Sequence, residues 1–491
     1  MIPYIYLGVF LAYSLLIFAV AWITSRRATN ATFFIGNRQS PWFVVAYGMI
    51  GASLSGVTFM SVPGAVAKQN FYYMPMVFGF FVGYIVIATV LMPLYYRMNL
   101  TSIYSYLEER FGAATYKTGA SFFILSRTLG ATLRMFLVVS VLHVFILDQF
   151  GFPFWLAGLI FILLIILYTL EGGIKTIVWT DTLQTTFMIL AVIVSIIIIC
   201  RELNLSLTQM FSTIYQSQYF DFWDTDPLSS RYFLKQFFSG IVVAIAMTGL
   251  DQEMMQKNLS CKNIKNAQKN MFVFSSIIVV VNFLFLVLGA IIMLYLQQRN
   301  LMTDELLQDT DKIFPTVAFQ NLGLVAGLVF FVGLISSAYP SADGALTSLT
   351  TSFCIDILGT DKNNRWDEKR KKKIRYLVHL SFATLFFALI LFFNAYKNDA
   401  VINLVYAVAS YTYGPLLGLF FFGILTKYRV RDRWIPFIAI LSPIICFLCD
   451  YLGGRYYGFK FGFTLLIVNG LLTFFGCFLA RQKRSPNKFE Q

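Results

Sequence analysis

Long apolar stretches alternate with short polar ones along the whole chain. Apolar runs lie near 4–24, 42–66, 74–96, 118–147, 153–170, 177–200, 232–253, 271–296, 315–353, 374–395, 401–425, 434–450 and 461–480. About 20 apolar residues suffice for a helix to cross a bilayer. The pattern therefore predicts thirteen membrane-spanning helices. The run at 315–353 is too long for one straight crossing and predicts a flanking helical piece. The first run has no basic leader and no small-residue cleavage site, and Arg26 and Arg27 follow it. It reads as a spanning helix, not a cleaved signal. The fold class expected is an all-α polytopic membrane protein.

Composition sharpens this picture. Of 491 residues, 58% are hydrophobic and 13% charged, with mean hydropathy +0.70. Soluble domains carry about 25% charged residues, so a water-soluble globule is excluded. The net charge of +14 matters through its placement. With the N-terminus outside, the odd-numbered loops and the C-terminal tail hold 27 of the 38 Lys and Arg. Such an excess belongs on the cytoplasmic side. The run Lys369–Lys373 then reads as a topology anchor and not as a nucleic-acid patch. Lys257 to Lys269 count among the anchors too. The expected setting is a multi-pass protein of the plasma (inner) membrane, in contact with lipid, with its C-terminus cytoplasmic and no nucleic-acid partner. Six cysteines (200, 261, 354, 446, 449, 477) show no metal or disulfide spacing and read as reduced packing residues.

Polar and small residues inside spans mark where such a protein works. The second run carries Gly48, Gly51, Ala52, Ser53, Leu54, Ser55, Gly56 and Thr58. This density can unwind a helix and leave carbonyl oxygens for a cation; close helix packing is the plainer alternative. The ninth run carries Gly333, Ser336, Ser337, Tyr339, Pro340, Ser341, Asp343, Gly344, Thr347 and Ser348. Its hydroxyls suit a small hard cation, or else bond back to their own helix. The sixth run opens on Trp179-Thr180-Asp181-Thr182-Leu183-Gln184, where Asp181 is either an ion-site carboxylate or an interfacial acid. Arg127 and Arg134 share one helical face of the fourth run. They form either a structural pair, with Asp343 the obvious partner, or a fork for a carboxylate. Ser410-Tyr411-Thr412-Tyr413-Gly414-Pro415 predicts a further break in the eleventh run.

These segments resemble the solute:sodium symporter family over nearly the whole chain. Glu171-Gly172-Gly173-Ile174-Lys175 with Trp179 to Gln184 is similar to one family segment. Asp251-Gln252 through Gln256-Lys257 is similar to a second, and Tyr411 to Gly418 to a third. Ser102 to Gly112 resembles the family's E-Y-L-E-x-R-F-G loop. The resemblance implies a LeuT-like five-plus-five inverted repeat. It divides the chain into an extra N-terminal helix (1–30), two five-helix halves (40–201 and 230–426) and two C-terminal helices with a short basic tail (432–491). It also implies a sodium site from the backbone oxygens of Gly51, Leu54 and Gly333 and the hydroxyls of Ser336 and Ser337. Some relatives bind a second sodium at the position of Asp181. The hydroxyls that would complete that site are replaced here by Tyr339 and Pro340, so one sodium per cycle is expected.

Leu54-Ser55-Gly56-Val57-Thr58 and Arg134-Met135 are similar to bacterial sialic acid symporters. The solute-binding residues implied are Ser55, Thr58, Tyr73 and Arg134, with Val77 near the place of a glutamine found in those relatives. The function implied is sodium-coupled uptake of a small carboxylate-bearing solute, such as an acidic sugar, by alternating access. A neutral sugar, monocarboxylate or amino acid is the alternative. No organic cofactor is expected, and a monomer is expected to suffice. A channel would need a filter motif, and none is visible. An intramembrane enzyme around Ser53 or Ser55 would have only His143 and His379 as bases, with no metal motif. A sensor would need more than the eleven residues after 480.

Overall fold

The computed structural model describes residues 2–482, except 27, 28, 228, 230, 364, 397, 398, 458–460 and 463. Among the described residues there is no strand, only helices and two isolated bridges. In chain order the main helices are α1 (Ile2–Ser25), α2 (Trp42–Ser53), α3 (Gly56–Gln69), α4 (Met74–Arg97), α5 (Ala113–Leu142), α6 (Phe154–Glu202) and α7 (Phe233–Gly249). They continue with α8 (Gln252–Leu259), α9 (Ile264–Gln298), α10 (Gly323–Ser352), α11 (Glu368–Ala395), α12 (Asp399–Leu425), α13 (Ile435–Tyr457) and α14 (Thr464–Leu479). Eight of the described helices are long and apolar enough to cross a membrane, and ten crossings result if each of two bent pairs is one span. That is fewer than thirteen. Two further apolar helices, Ser410–Leu425 and Thr464–Leu479, are shorter, and α6 is kinked at one residue.

That residue is Gly173, at φ 51° and ψ −138°. A Cβ there would lie 2.5 Å from the Phe33 ring, so both the dihedral and the space call for glycine. The fifth and sixth apolar runs are thus the two arms of α6. The long run at 315–353 resolves as expected. A short helical piece through Asn321 precedes α10, and Gly323 (φ 79°) marks the join.

Two spans are broken. α2 and α3 meet at 62°, and α7 and α8 at 66°. At the first break Leu54 (φ −98°, ψ 91°) leaves the helix, and Ser55 starts the next one by accepting from the Thr58 N–H at 3.4 Å. At the second, the Asp251 carboxylate caps α8 by accepting from the N–H groups of Glu253 (2.9 Å) and Met254 (3.2 Å).

The break expected in the eleventh run is absent. α10 and α12 run unbroken through Pro340 and Pro415. A proline deprives the carbonyl four residues earlier of its donor. In α12 that carbonyl is Tyr411 O, and Asn469 Nδ2 of α14 donates to it at 2.8 Å and to Ser410 O at 3.2 Å. The helix survives because a neighbour satisfies the freed backbone.

α10 is the axis of the molecule, buried almost throughout and packed along α6. α4 and α7 run together where Gly79 and Gly240 face each other, a small-residue contact between spans.

Candidate functional site

The first break is pressed between α6 and α10. The Gly51 N–H donates to Thr185 Oγ1 at 3.0 Å, and a Cβ on Gly51 would lie 3.4 Å from Pro340 Cγ. A Cβ on Gly56 would lie 3.5 Å from Ser337 Oγ. The stretch of α10 that faces the break is therefore 337–340. The helical ladder of α2 ends with the Leu54 N–H on Ile50 O at 2.8 Å. The carbonyls that follow belong to a helix end, where acceptors outnumber donors.

The five predicted sodium ligands lie on the two helices that meet at the break, α2 with its end at Leu54, and α10. Gly51 and Leu54 sit at the break, and Ser337 faces it. The Ser337 hydroxyl donates to Leu334 O at 2.8 Å, which leaves its lone pairs available. Gly333 lies one turn away, where its missing side chain admits the Phe59 ring and Ala191. The Ser336 hydroxyl is buried and has no hydrogen-bond partner among the described residues. The spacing i, i+3, i+4 puts the Gly333 backbone and the Ser336 and Ser337 side chains on neighbouring positions of α10. Ser341 lies one turn beyond Ser337. Its hydroxyl is buried and has no partner.

Beside the break opens a cavity of about 130 Å³, whose lining includes Leu54, Thr58, Tyr73, Arg127, Arg134 and Asn282. Of the predicted solute-binding residues, Thr58, Tyr73 and Arg134 line it. Ser55 does not; its hydroxyl is spent on the cap and lies 3.4 Å from Thr58 Oγ1. Asn282 of α9 was not foreseen. It is 1% exposed, its Nδ2 donates to Ile278 O at 2.8 Å, and its Oδ1 is unpartnered. An asparagine in an apolar helix stretch (Val281-Asn282-Phe283) was the available signal.

Arg127 does not pair with Asp343. It binds Glu253 Oε2 and lies 3.7 Å from Asp251 Oδ2. Asp343 instead accepts from Tyr168 OH at 2.8 Å. The charges continue inward as a ladder. Lys257 Nζ lies 3.6 Å from Glu253 Oε1 and 2.7 Å from Asp181 Oδ2. Tyr413 OH donates to Asp251 Oδ2 at 2.5 Å. All five charged groups are buried. Asp181 is thus no interfacial acid, and Lys257 is no topology anchor: the two hold each other inside the bundle. The helices joined are α5, α6, α8 and α12. Among the described residues no cluster of His, Cys, Asp or Glu is arranged to hold a metal.

A helical bundle with two broken spans, one opening each half, against a central unbroken helix defines a secondary transporter of the LeuT-like five-plus-five class. The Sodium:solute symporter family matches residues 33–432. The sodium/sialic acid symporter SiaT of Proteus mirabilis is 23% identical over 90% of this chain and 88% of its own length. Mouse sodium-coupled monocarboxylate transporter 1 is 23% identical over 82% and 65%. A solved Na+-coupled sialic acid symporter, in a substrate-bound outward-open state, superposes with a TM-score of 0.82 at 20% identity, covering 98% of this chain and 97% of that one. The chain belongs to the sodium:solute symporter family. It is a multi-pass membrane transporter, not an enzyme, and sodium is its coupling ion.

Proposed function

We propose that this symporter takes up a small carboxylate-bearing solute, an acidic sugar of the sialic acid kind, with one sodium per cycle. The observation that carries the reading is Arg134 in the wall of the cavity, with Thr58, Tyr73 and Asn282 as polar companions. A guanidinium matches a carboxylate with two parallel hydrogen bonds, and hydroxyl and amide groups suit a polyol. The relative from Proteus mirabilis bears a sialic acid name, which supports the same class.

In this reading sodium sits at the first break, with the Gly51 and Leu54 backbone oxygens on one side and the Gly333 backbone oxygen and the Ser336 and Ser337 hydroxyls on the other. The solute binds beside it in the cavity. Closure of one face and opening of the other then releases both. Asp181 is left with Lys257 as its cation, in keeping with a single sodium. The two halves at 40–201 and 230–426, an outside N-terminus, a cytoplasmic C-terminus, the inner membrane and a monomeric working unit complete the proposal.

The test is uptake into proteoliposomes under a sodium gradient, screened across sialic acid, monocarboxylates, neutral sugars and amino acids. Uptake of sialic acid that requires sodium supports the reading. Uptake of neutral sugars alone overturns the solute class. Under an imposed potential, one sodium with a monovalent anion moves no net charge, so clear electrogenicity would overturn the single-sodium stoichiometry.

A further inference from the structure

Arg127 belongs both to the buried charge ladder and to the wall of the cavity. It lies seven residues before Arg134 on α5, so the two share a helix face with Cα atoms about 10 Å apart. Its Nη2 is held by Glu253 Oε2. Its Nη1 lies 3.7 Å from Asp251 Oδ2, too far for a hydrogen bond. The Asp251 oxygens are already taken: Oδ1 accepts from the N–H groups of Glu253 and Met254, and Oδ2 accepts from Tyr413 OH at 2.5 Å. Arg127 Nε has no partner among the described residues. The guanidinium thus keeps donor capacity that the ladder does not use.

Burial shows where that capacity opens. The Arg127 side chain is 8% exposed, whereas those of Asp251 and Glu253 are 0% and 1% exposed. The residual surface lies inside the bundle, and the cavity is what Arg127 lines there. Charge balance shows what can meet it. The ladder holds three carboxylates, Asp181, Asp251 and Glu253, against two cations, Arg127 and Lys257. Glu253 is fixed in place, because its Oε1 fills the space left by Gly344 of α10, where a Cβ would overlap it. A further carboxylate at Arg127 would join a group already in excess of negative charge, in an interior that screens charge poorly. A neutral oxygen accepts from a guanidinium without that repulsion.

We propose that Arg127 is a second solute-binding group, which donates to a neutral oxygen of the solute remote from its carboxylate, and that the carboxylates behind it exclude solutes with a second negative charge. The substrate class is then a monoanionic acid with a hydroxyl or amide carbonyl at its far end, held between Arg134 and Arg127. This inference rests on the carboxylate-solute reading above and narrows the class of solute.

The test titrates three acids of one chain length against the purified protein in saturating sodium, reading thermal stabilisation. Gluconate has one carboxylate and a terminal hydroxyl, hexanoate has one carboxylate and no hydroxyl, and glucarate has a carboxylate at each end. Wild type, Arg127→Lys and Glu253→Gln are compared through the ratios of half-saturation within each protein, so a general loss of stability cancels. Wild type should bind gluconate about tenfold more tightly than glucarate. Arg127→Lys keeps a cation for Glu253 but loses the fork, so its preference for gluconate over hexanoate should fall about tenfold from that of wild type. Glu253→Gln removes one negative charge, so its preference for gluconate over glucarate should fall about tenfold. An unchanged gluconate-to-hexanoate ratio in an Arg127→Lys protein that still melts cooperatively overturns the proposal. Equal weakening of all three acids in that variant makes Arg127 a scaffold residue and overturns it too. Equal binding of gluconate and glucarate by wild type overturns it and leaves the carboxylate reading standing. If none of the three acids stabilises wild type, the carboxylate reading falls and the proposal falls with it.

Discussion

Lys257 Nζ lies 2.7 Å from Asp181 Oδ2, and both side chains are at most 1% exposed. This contact joins α8 to the second arm of α6, and through Glu253 and Arg127 it continues to α5. Breaking a buried pair by removing one partner costs about 3–5 kcal/mol, because a charge is left uncompensated. Lys257→Met should therefore lower thermal stability strongly. The double variant Lys257→Met with Asp181→Asn, which removes both charges, should recover most of it. Melting curves of the purified variants check this. A single variant as stable as wild type would mean that Asp181 has another cation at hand.

The cavity makes a separate prediction. Arg134→Ala should abolish saturable uptake of a carboxylate solute while leaving sodium-dependent stabilisation in place, since Arg134 lines the cavity and not the break. Arg134→Lys should restore little, because an ammonium cannot reproduce a planar fork. Parallel solute and sodium titrations separate the two. Loss of both responses at once would place Arg134 in the scaffold and outside the solute pocket.

Legibility in the sequence varied with the distance over which each feature is decided. The break at Leu54 is local: Gly51, Ser53, Ser55 and Gly56 weaken the helix themselves, and the structure breaks there. The break at Leu250 was not singled out, because it depends on one glycine and on a carboxylate cap at Asp251. The break expected at Gly414-Pro415 does not occur, because its remedy is Asn469, more than fifty residues away. The partner of Arg127 was misjudged for the same reason: Glu253 and Asp343 are both remote in sequence, and only packing chooses between them. Along α10 a hydroxyl or glycine appears at every turn from 333 to 352, so composition could not tell which face meets the break.

Asn282 tests the solute pocket from the side opposite the sequence expectation. Its unpartnered, buried oxygen should gain a donor from the solute's hydroxyl or amide groups. Asn282→Leu removes that acceptor, and a hydrogen bond of this kind is worth about 0.5–1.5 kcal/mol. The expected outcome is a rise in the solute half-saturation of about two- to tenfold, with little change in the maximum rate or in sodium affinity. Concentration-dependent uptake checks it. A change confined to the maximum rate would assign Asn282 to the transport step and remove it from recognition.

Asn469 and Pro415 form a pair whose logic is independent of any ligand. Asn469 Nδ2 serves two carbonyls of α12, those of Ser410 and Tyr411, and a Cβ on Gly414 would lie only 2.3 Å from that amide. Asn469→Leu should leave the Tyr411 carbonyl unsatisfied and cost about 1–3 kcal/mol. In a Pro415→Ala background the helix supplies its own N–H to Tyr411 O, so the same Asn469→Leu change should cost less. The difference between the two costs is a coupling energy, measurable as a double-mutant cycle from the melting of four proteins. A coupling of zero would mean that the Asn469 amide does not stand in for the missing proline donor.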